Sequence, residues 1–281
     1  MTTTKTILLA SLCAITVLGL WAFWIEPASI TVHKVNLNIS RWHTEHREMK
    51  IAILTDLHIG SPHTGLDKLK TVVERTNNEK PDLVVILGDL VIDGVIGGKF
   101  VEPEPIAAAL KDLRATHGVV AVLGNHDWMN DGERMRRVLQ GAGIVVLENG
   151  SLRIERAGRT LWLVGLADLY FRHPDIAEGL RQVDEVNPVI LLTHNPDIFP
   201  DVPSRVSLTL AGHTHGGQVN FPIIGRLVVP SQYGQRYAMG HVVEGGRHLF
   251  VSGGVGTSII PVRFRVPPEI VIMTLAGGGA P

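Results

Sequence analysis

The chain has 281 residues, of which 45% are hydrophobic, and a formal net charge of −1. This length is enough for one large α/β domain or two small ones. A near-neutral chain has no basic field to attract nucleic acid, so no nucleic-acid partner is expected, and nothing in the sequence indicates a protein partner. The single cysteine, Cys13, excludes an intrachain disulfide, and cysteine usage therefore does not indicate a compartment.

An apolar segment at the N-terminus (residues 1–26) predicts a membrane anchor. Residues 6–25 carry no charge, and twenty helical residues span about 30 Å, the thickness of a bilayer core. The alternative, a cleaved signal peptide, has a shorter apolar region followed by small residues at the cleavage site. Bulky residues, among them Trp21 and Trp24, stand at that place, which favours an uncleaved single span. The flanking charges lean slightly towards a cytoplasmic N-terminus, but by a margin too small to set the orientation.

A linker and a first strand (residues 27–48) lead into a domain with the pattern of an α/β fold (residues 49–276), and a short tail (277–281) is expected to fray. In the first half of the domain, apolar runs typical of buried strands alternate with segments of helical periodicity. The strands are expected at 50–55, 83–87, 119–123 and 144–147, and the helices at 66–78, 104–115 and 133–140. Such alternation predicts a parallel sheet.

The second half of the domain predicts a more mixed sheet. A hairpin is expected from residues 152–154 and 160–166, and further strands are expected at 189–193, 208–211, 249–252 and 270–275. Residues 168–183 are expected to form a loop and a helix that overhang the functional end of the strands. The domain is therefore predicted as α/β, with a parallel half and a mixed half.

Polar side chains follow the buried strands at the end where α/β proteins bind ligands. Five motifs do so: Asp56-Leu57-His58, Gly88-Asp89, Gly124-Asn125-His126-Asp127, His194-Asn195 and Gly212-His213-Thr214-His215. Any one of them alone has a plain explanation, such as a turn-capping aspartate or a loop histidine. Buried strands do not need polar residues there for stability, and the repetition along the chain therefore indicates a functional site.

The motifs supply carboxylate, amide and imidazole groups, a mixture that Mn²⁺, Fe²⁺ and Zn²⁺ accept. No cysteine lies near them, which argues against a structural zinc site. Residues two apart in an extended chain point to opposite faces, but the surrounding glycines permit a turn that aims His213 and His215 at one place. The glycines that follow, Gly216 and Gly217, are expected to leave room for a group bound at this site. The motifs therefore predict two divalent cations about 3.5–4 Å apart, bridged by a carboxylate.

In order and spacing, the five motifs resemble those of the calcineurin-like metallophosphoesterases, and the resemblance extends from residue 50 to about residue 275. It implies a four-layer α/β/β/α sandwich with a two-metal site at the strand ends. It also implies a phosphodiesterase or pyrophosphatase in which a metal-bridging hydroxide attacks phosphorus. Mn²⁺ is the expected metal, with Zn²⁺ or Fe²⁺ as alternatives.

The same resemblance assigns a role to each polar residue. It divides the metal ligands into three groups: Asp56, His58 and His215 on one ion, Asn125, His194 and His213 on the other, and Asp89 as the bridge. His126 is expected near the leaving-group oxygen as a general acid or transition-state donor, oriented by Asp127. Asp93 resembles a support residue of some family members, and a plain loop aspartate is an equal alternative.

A looser resemblance links the chain to membrane-anchored bacterial phosphoesterases of the YaeI and YkuE types. It rests on residues 212–219, 221–225 and 251–263. That branch includes a chlamydial-type enzyme that cleaves the pyrophosphate of UDP-2,3-diacylglucosamine in lipid A synthesis. The resemblance implies a single-pass protein of the bacterial inner membrane that acts on a membrane-associated or lipid-linked phosphate ester. It leaves open the side of the membrane on which the domain lies.

Other functions remain open from the sequence. The same ligands fit a phosphomonoesterase or nucleotidase, and they also fit a cell-envelope phosphodiesterase with another substrate. A non-enzymatic scaffold of this fold is disfavoured because no ligand motif is missing. A DNA nuclease is disfavoured by the anchor and by the neutral net charge.

An apolar and basic insert (residues 221–240) is the expected element of substrate recognition. The candidate contacts, with one arginine from a later loop, are Arg226, Tyr233, Arg236 and Arg263. Arginine suits a phosphate group, and the apolar residues of the insert suit acyl chains or a bilayer surface. A plain hairpin that covers the sheet is the alternative.

Overall fold

Two six-stranded β-sheets form the centre of the protein in a computed structural model that describes residues 2–39 and 41–277. The strands are β1 (Thr31–Ile39), β2 (Met49–Leu54), β3 (Leu83–Ile86), β4 (Val119–Ala121), β5 (Val145–Val146), β6 (Gly150–Arg156), β7 (Arg159–Gly165), β8 (Val189–Leu192), β9 (Leu208–Ala211), β10 (Gly240–Glu244), β11 (Arg247–Val251) and β12 (Glu269–Gly277). The α-helices are α1 (Thr2–Leu20), α2 (Glu26–Ala28), α3 (Leu66–Asn78), α4 (Pro103–Leu110), α5 (Asn125–Gly141) and α6 (Ile176–Leu180).

Each sheet combines a parallel centre with antiparallel pairs. The strand order of the first sheet is β1-β12-β2-β3-β4-β5, in which β2 to β5 run parallel and β12 runs antiparallel to β2. The order of the second sheet is β10-β11-β9-β8-β7-β6, with a parallel centre and an antiparallel hairpin at each edge. All parallel strands of a sheet therefore have their carboxyl ends on the same side of that sheet.

Three apolar clusters hold the layers together. One joins the first sheet to α3, α4 and α5. The second fills the space between the sheets, with Ile53 and Val85 from one sheet and Leu163 and Leu192 from the other. The third covers the outer face of the second sheet with α6 and a 3₁₀ turn (Pro196–Asp201). Burial of each such side chain stabilises the fold by about 1.5–3 kcal/mol. The chain is a four-layer α/β/β/α sandwich, as the sequence predicts, although its second helical layer is thin.

The predicted strands are confirmed to within two residues, but two helices differ and β10 has no predicted counterpart. α4 ends at Leu110 rather than near residue 115, and α5 begins at Asn125 rather than at residue 133. Asp131 has a non-helical backbone (φ −159°, ψ 80°) that kinks α5. The apolar periodicity of the sequence is clear only after this kink, because Asn125, His126 and Asp127 begin the helix and Asn130 and Asp131 come just before the helical pattern.

The last strand extends into the segment that was predicted to fray. Gly277 pairs with Ile39 across β12 and β1. Residues 278–281, the rest of the predicted tail, lie outside the described part of the chain.

The N-terminal segment is a continuous helix that projects from the rest of the protein. α1, a π-helical turn (Trp21–Ile25) and α2 follow one another without a break. Residues 3–28 are long and apolar enough to cross a membrane, and nearly all of this segment is exposed. Its buried side chains, Ala22, Glu26 and Pro27, lie at the C-terminal end. The segment is therefore a candidate membrane span that contacts the domain at one end.

Candidate active site

The seven predicted metal ligands lie together where the carboxyl ends of the two sheets meet. Each follows a strand within a few residues: Asp56 and His58 after β2, Asp89 after β3, Asn125 after β4, His194 after β8, and His213 and His215 after β9. All seven side chains are buried, with exposed fractions of 8% or less. They form two donor groups that share one carboxylate.

The first donor group consists of Asp56, His58 and His215. His58 Nε2 lies 3.1 Å from His215 Nε2, and His215 Nε2 lies 3.4 Å from Asp56 Oδ1. The Asp56 carboxylate accepts hydrogen bonds from Thr55 Oγ1 at 2.9 Å and from the His213 amide at 3.0 Å. Burial raises the pKa of Asp56 to about 6. Two imidazole nitrogens this close need a shared proton or a shared cation between them.

The second donor group consists of Asn125, His194 and His213. His194 Nε2 lies 3.2 Å from Asn125 Oδ1 and 3.2 Å from His213 Nδ1. His194 Nδ1 donates a hydrogen bond to the Leu87 carbonyl at 2.7 Å. This bond fixes the ring and presents Nε2 to the group, which is how metal-binding histidines are usually oriented.

Asp89 lies between the two groups. Its Oδ2 atom is 3.5 Å from His58 Nε2 and 3.3 Å from His194 Nε2. Two donors bound to one cation at about 2.1 Å lie roughly 3.0–3.4 Å apart for angles from roughly 90° to tetrahedral. The separations between donor atoms within the site, 3.1 to 3.5 Å, lie within about 0.1 Å of this range and fit two cations that share Asp89.

Burial keeps three of the four histidines neutral, and the Asp89 carboxylate favours positive charge at the fourth. Burial lowers the pKa of His58 and of His213 to about 3, and it lowers that of His215 well below its usual value. These three rings are therefore neutral at pH 7, as metal ligands must be. Burial disfavours the charged form of His194, but the Asp89 carboxylate outweighs it and raises the pKa of His194 to about 10. The site thus attracts positive charge to the shared carboxylate.

Five of the seven ligands have a left-handed backbone conformation. They are Asp56 (φ 49°), His58 (41°), Asp89 (55°), His213 (69°) and His215 (52°). A non-glycine residue rarely adopts such angles, at a cost of order 1–3 kcal/mol each. Strain of this kind clusters at functional sites, and here it explains how histidines two residues apart point into the same site.

Two glycines let the backbone approach the carboxylates closely. A methyl group on Gly212 would lie 2.0 Å from Thr55 Oγ1 and 2.6 Å from Asp56 Oδ2. A methyl group on Gly124 would lie 2.3 Å from Asp89 Oδ1. Any larger residue at either position would therefore displace a ligand.

The glycines that follow the histidines have a different role from the one predicted. A methyl group on Gly216 would meet the Val266 side chain at 2.8 Å, and one on Gly217 would meet the Val228 carbonyl at 2.6 Å. Both face protein atoms, so the prediction that they leave room for a group bound at the site is wrong. They allow the loops around the site to pack closely.

Comparison with known proteins identifies the family. The family model described as calcineurin-like phosphoesterase matches residues 49–217, the part of the chain that holds all seven ligands. The chain belongs to the calcineurin-like phosphoesterase family. It is accordingly a metal-dependent phosphoester hydrolase. Its histidines and aspartates form three overlapping groups that could hold metal ions: Asp56 with His58 and His215, Asp89 with His194 and His213, and His58 with Asp89 and His126.

Individual relatives agree with this placement. The chain is 32% identical over 260 residues to the uncharacterized metallophosphoesterase YkuE of Bacillus subtilis. The matched region covers 91% of this chain and 88% of that protein. It is 31% identical over 235 residues to the phosphodiesterase YaeI of Escherichia coli, with 80% and 82% covered. It is 31% identical over 243 residues to a Danio rerio protein named transmembrane protein with metallophosphoesterase domain, with 81% and 53% covered. The resemblance to the YaeI and YkuE branch is confirmed.

His126 lies at the mouth of the site of this phosphoesterase. Its Nε2 atom is 3.9 Å from Asp89 Oδ2, and its side chain is 15% exposed. Its ring packs edge-on against His58, with the ring centroids 4.9 Å apart. The imidazole is therefore close to the shared carboxylate and also open to solvent, where a leaving group would depart.

Asp127 does not orient His126, contrary to the prediction. Its carboxylate instead accepts hydrogen bonds from the amides of Asp89 (2.9 Å), Leu90 (2.9 Å) and Gly124 (3.0 Å). It therefore clamps the start of α5 to the loop that carries the shared carboxylate. Burial raises the pKa of Asp127 to about 7.

An Asp127→Asn variant is expected to bind metal more weakly although no ligand is changed. The amide has one oxygen to accept the three backbone hydrogen bonds, and its NH₂ group would face an N–H donor. Loss of such support typically weakens metal affinity by about 10–100-fold. Calorimetric titration with Mn²⁺ measures the effect, and an affinity equal to that of the unchanged protein would refute the clamping role.

The predicted substrate contact Arg263 is not accessible to a substrate. Its side chain is fully buried, and its guanidinium donates to the carbonyls of Gly253, Gly256 and Val266. Burial lowers its pKa to about 10. The prediction was wrong because a positive charge in a loop is normally solvated, whereas this one is enclosed by the folded backbone.

The other three predicted contacts lie in the insert. Arg226 borders the loop of residues 212–218, which carries His213 and His215 and which we call the metal loop, because Arg226 Nε donates to the Gly216 carbonyl at 2.8 Å. Arg236 forms an ion pair with Glu244 at 2.6 Å, and its guanidinium lies 5.8 Å from the Tyr233 ring. Arg226 is therefore the predicted contact that the structure brings beside the ligands, while Arg236 and Tyr233 support each other within the insert.

The loop after β7 adds an aromatic residue that sequence reasoning did not single out. The ring of Tyr170 lies 5.4 Å from that of His213, and this tyrosine is 57% exposed. Asp168 holds the loop, since its Oδ2 accepts from the amides of Tyr170 and Phe171 at 2.9 and 2.7 Å. The predicted overhang is thus present. No local pattern distinguishes Tyr170 from other loop aromatics.

Proposed function

We propose that this phosphoesterase uses two divalent cations to hydrolyse a phosphodiester or pyrophosphate bond in a membrane-associated, lipid-linked substrate. The observation that carries the reaction is the shared carboxylate of Asp89, whose Oδ2 lies 3.5 Å from His58 and 3.3 Å from His194. Each histidine belongs to a different donor group. Oxygen and nitrogen donors without sulfur accept Mn²⁺, which is the metal that we propose, and also Zn²⁺ or Fe²⁺ as alternatives.

Different residues of the chain are proposed to have different roles in the reaction. Bound cations would supply an acidified water molecule and neutralise charge on the phosphoryl oxygens. Asp89 and the neutral imidazoles fix the separation of the two positions. His126, at the solvent edge, is placed to donate a proton to the leaving oxygen. The exposed ring of Tyr170 and the guanidinium of Arg226 border the metal loop and are proposed to contact the rest of the substrate.

The N-terminal helix supports a location in the bacterial inner membrane with a single span. Residues 3–28 satisfy the length and composition of a span, and the Danio rerio relative is named a transmembrane protein. The specific substrate that we propose is UDP-2,3-diacylglucosamine in lipid A synthesis, which would require the domain to face the cytoplasm. Recovery of the chain from the soluble fraction of lysed cells would contradict the span. No nucleic-acid partner is proposed.

One assay tests the reaction. Metal-stripped protein is reconstituted with Mn²⁺ and given a simple aryl phosphodiester, the matching monoester and UDP-2,3-diacylglucosamine. We expect turnover that requires metal, with the diester and the pyrophosphate preferred over the monoester. The name of the YaeI relative, a phosphodiesterase, supports this order.

The possible results separate the parts of the proposal. A preference for the monoester would replace the diesterase by a phosphomonoesterase or nucleotidase. Turnover of the soluble diester without turnover of the UDP-linked lipid would remove the lipid A substrate and leave a cell-envelope phosphodiesterase. No turnover of any substrate by metal-loaded protein would refute the enzymatic proposal.

A further inference from the structure

The C-terminal end of the N-terminal helix forms hydrogen bonds with a loop that borders the metal site. The Arg263 amide donates to the Ala22 carbonyl at 2.9 Å, and the Val266 amide donates to Glu26 Oε1 at 2.7 Å. Glu26 is 5% exposed, and its Oε2 accepts from Trp21 Nε1 at 2.7 Å. The helix therefore joins the domain through a set of hydrogen bonds, which we call the junction, rather than through a free linker. The junction consists of Ala22 and Glu26 in the helix and of Arg263 and Val266 in the loop.

Arg263 connects this junction to the metal ligands. Its guanidinium donates to the carbonyls of Gly254 at 3.3 Å and Gly256 at 2.5 Å. A methyl group on Gly254 would lie 2.6 Å from Asp56 Cβ, and one on Gly256 would lie 2.5 Å from His58 Cβ. The backbone that Arg263 holds thus packs on two ligands. The position of the site relative to the helix is fixed by these contacts.

Large apolar side chains are exposed on the loops around the junction. We call them the apolar rim, and they are Ile96, Ile223, Ile224, Leu227, Val228 and Ile259, each at least 64% exposed. Single exposed apolar residues need no explanation, but a group of them on neighbouring loops marks an interaction surface.

Main-chain hydrogen bonds connect the loops of the rim to one another and to the junction. The Ile96 amide donates to the Ile259 carbonyl at 2.9 Å, and the Asn220 amide donates to the Phe264 carbonyl at 2.9 Å. The ring of Phe221, at the base of the turn that carries Ile223 and Ile224, lies 6.2 Å from the ring of Phe264. Phe264 directly follows the residue that is bonded to the helix. The rim and the end of the helix are therefore neighbours.

The rim also borders the mouth of the site. Arg226, between the apolar residues of the insert, bonds to the Gly216 carbonyl at 2.8 Å. The Val228 carbonyl packs so closely on Gly217 that a methyl group there would lie 2.6 Å away. The metal loop and the rim are thus parts of one surface.

We infer that the apolar rim rests in the surface of the bilayer that the N-terminal helix crosses, with anionic lipid as its partner. This inference rests on the span in the proposed function. A bilayer that surrounds the helix as far as the junction would also contact the apolar rim, because the rim lies beside the end of the helix. Lys99, three residues after Ile96, and Arg265, next to Phe264, are exposed and are therefore suited to anionic headgroups. The mouth of the site then opens at the level of the lipid headgroups.

Site-specific fluorescence in a bilayer tests the inference. The full chain carries Cys13→Ser and one new cysteine, Leu227→Cys or Ile259→Cys in the rim or Val186→Cys as the control. Val186 is 77% exposed and precedes the amino end of β8, opposite the metal ligands. Each cysteine receives an environment-sensitive dye, and the protein is reconstituted into vesicles of phosphatidylcholine and phosphatidylglycerol that contain a lipid-bound quencher. We expect a blue shift and quenching at both rim positions and neither at Val186.

The outcomes distinguish this inference from the proposed function, because quenching does not depend on turnover. Rim dyes that behave like the Val186 dye would overturn the inference, even in a protein that hydrolyses its substrates. A blue shift without lipid quenching would also overturn it, since a second copy or another protein would then cover the rim. Quenched rim dyes on a chain without hydrolysis would leave the membrane contact in place and refute the enzymatic proposal alone.

Discussion

An Asp89→Ala variant is expected to lose both metal ions and the hydrolytic activity together. Asp89 Oδ2 lies within 3.5 Å of a histidine nitrogen from each donor group, so its removal takes a donor from both cation positions. Its Oδ1 also accepts from the His126 amide at 2.9 Å, and that contact is lost as well. Two-metal sites supply several kcal/mol of transition-state stabilisation, and activity should therefore fall by roughly three orders of magnitude or more.

Metal content and hydrolysis of an aryl phosphodiester measure this effect in the same preparation. Asp112→Ala is the matched control, because Asp112 is an exposed aspartate between α4 and β4, before the amino end of β4 and opposite the ligands. The control should keep its metal and its activity. An Asp89→Ala protein that retains two ions per chain would show that this carboxylate does not bridge them.

A His126→Ala variant is expected to keep its metal and lose most of its rate. His126 Nε2 is 3.9 Å from Asp89 Oδ2, outside the 3.1–3.5 Å separations of the two donor groups. A positioned proton donor contributes typically about 10²–10⁴-fold to a rate. The loss should be larger for an alkyl leaving group than for p-nitrophenolate, because the weaker leaving group depends more on protonation.

His117→Ala provides the comparison, since His117 precedes the amino end of β4, at the opposite end of the strand from the ligands. Metal content and kcat for both leaving groups are measured on each variant. Full activity of His126→Ala would remove His126 from the mechanism. An equal loss for both leaving groups would indicate a role in stabilising the transition state rather than in proton donation.

The strands and the metal ligands could be predicted because both leave a local signal. The strands are continuous apolar runs, and the polar residues that end them, such as Asp56 and Asp89, interrupt those runs abruptly. Parallel pairing then brings the ends together without further information. Of the ligands, the sequence least determined the pair His213 and His215, whose convergence depends on φ angles of 69° and 52°.

The features that could not be predicted depend on contacts between distant parts of the chain. Asp127 accepts hydrogen bonds from amides that lie 38 and 37 residues earlier in the chain. The local sequence does not indicate these partners, and the adjacent His126 was therefore the partner that was predicted. Arg263 and Glu26 are separated by more than two hundred residues, yet both are buried at one junction. A charged residue has the same local pattern whether it contacts a substrate or fills such a junction.

In the proposed membrane location, the hydrogen-bonded junction between Glu26 and the loop of Val266 limits how the domain can move relative to the bilayer. A flexible tether would let a domain sweep a volume of solution around its anchor. Here, once α1 is inserted in a bilayer, the domain diffuses only in the plane of that bilayer and keeps one face towards it. For the proposed lipid-linked substrate, the rate should then follow the mole fraction of substrate among the lipids rather than the bulk concentration. Addition of inert lipid should slow hydrolysis at constant amounts of enzyme and substrate.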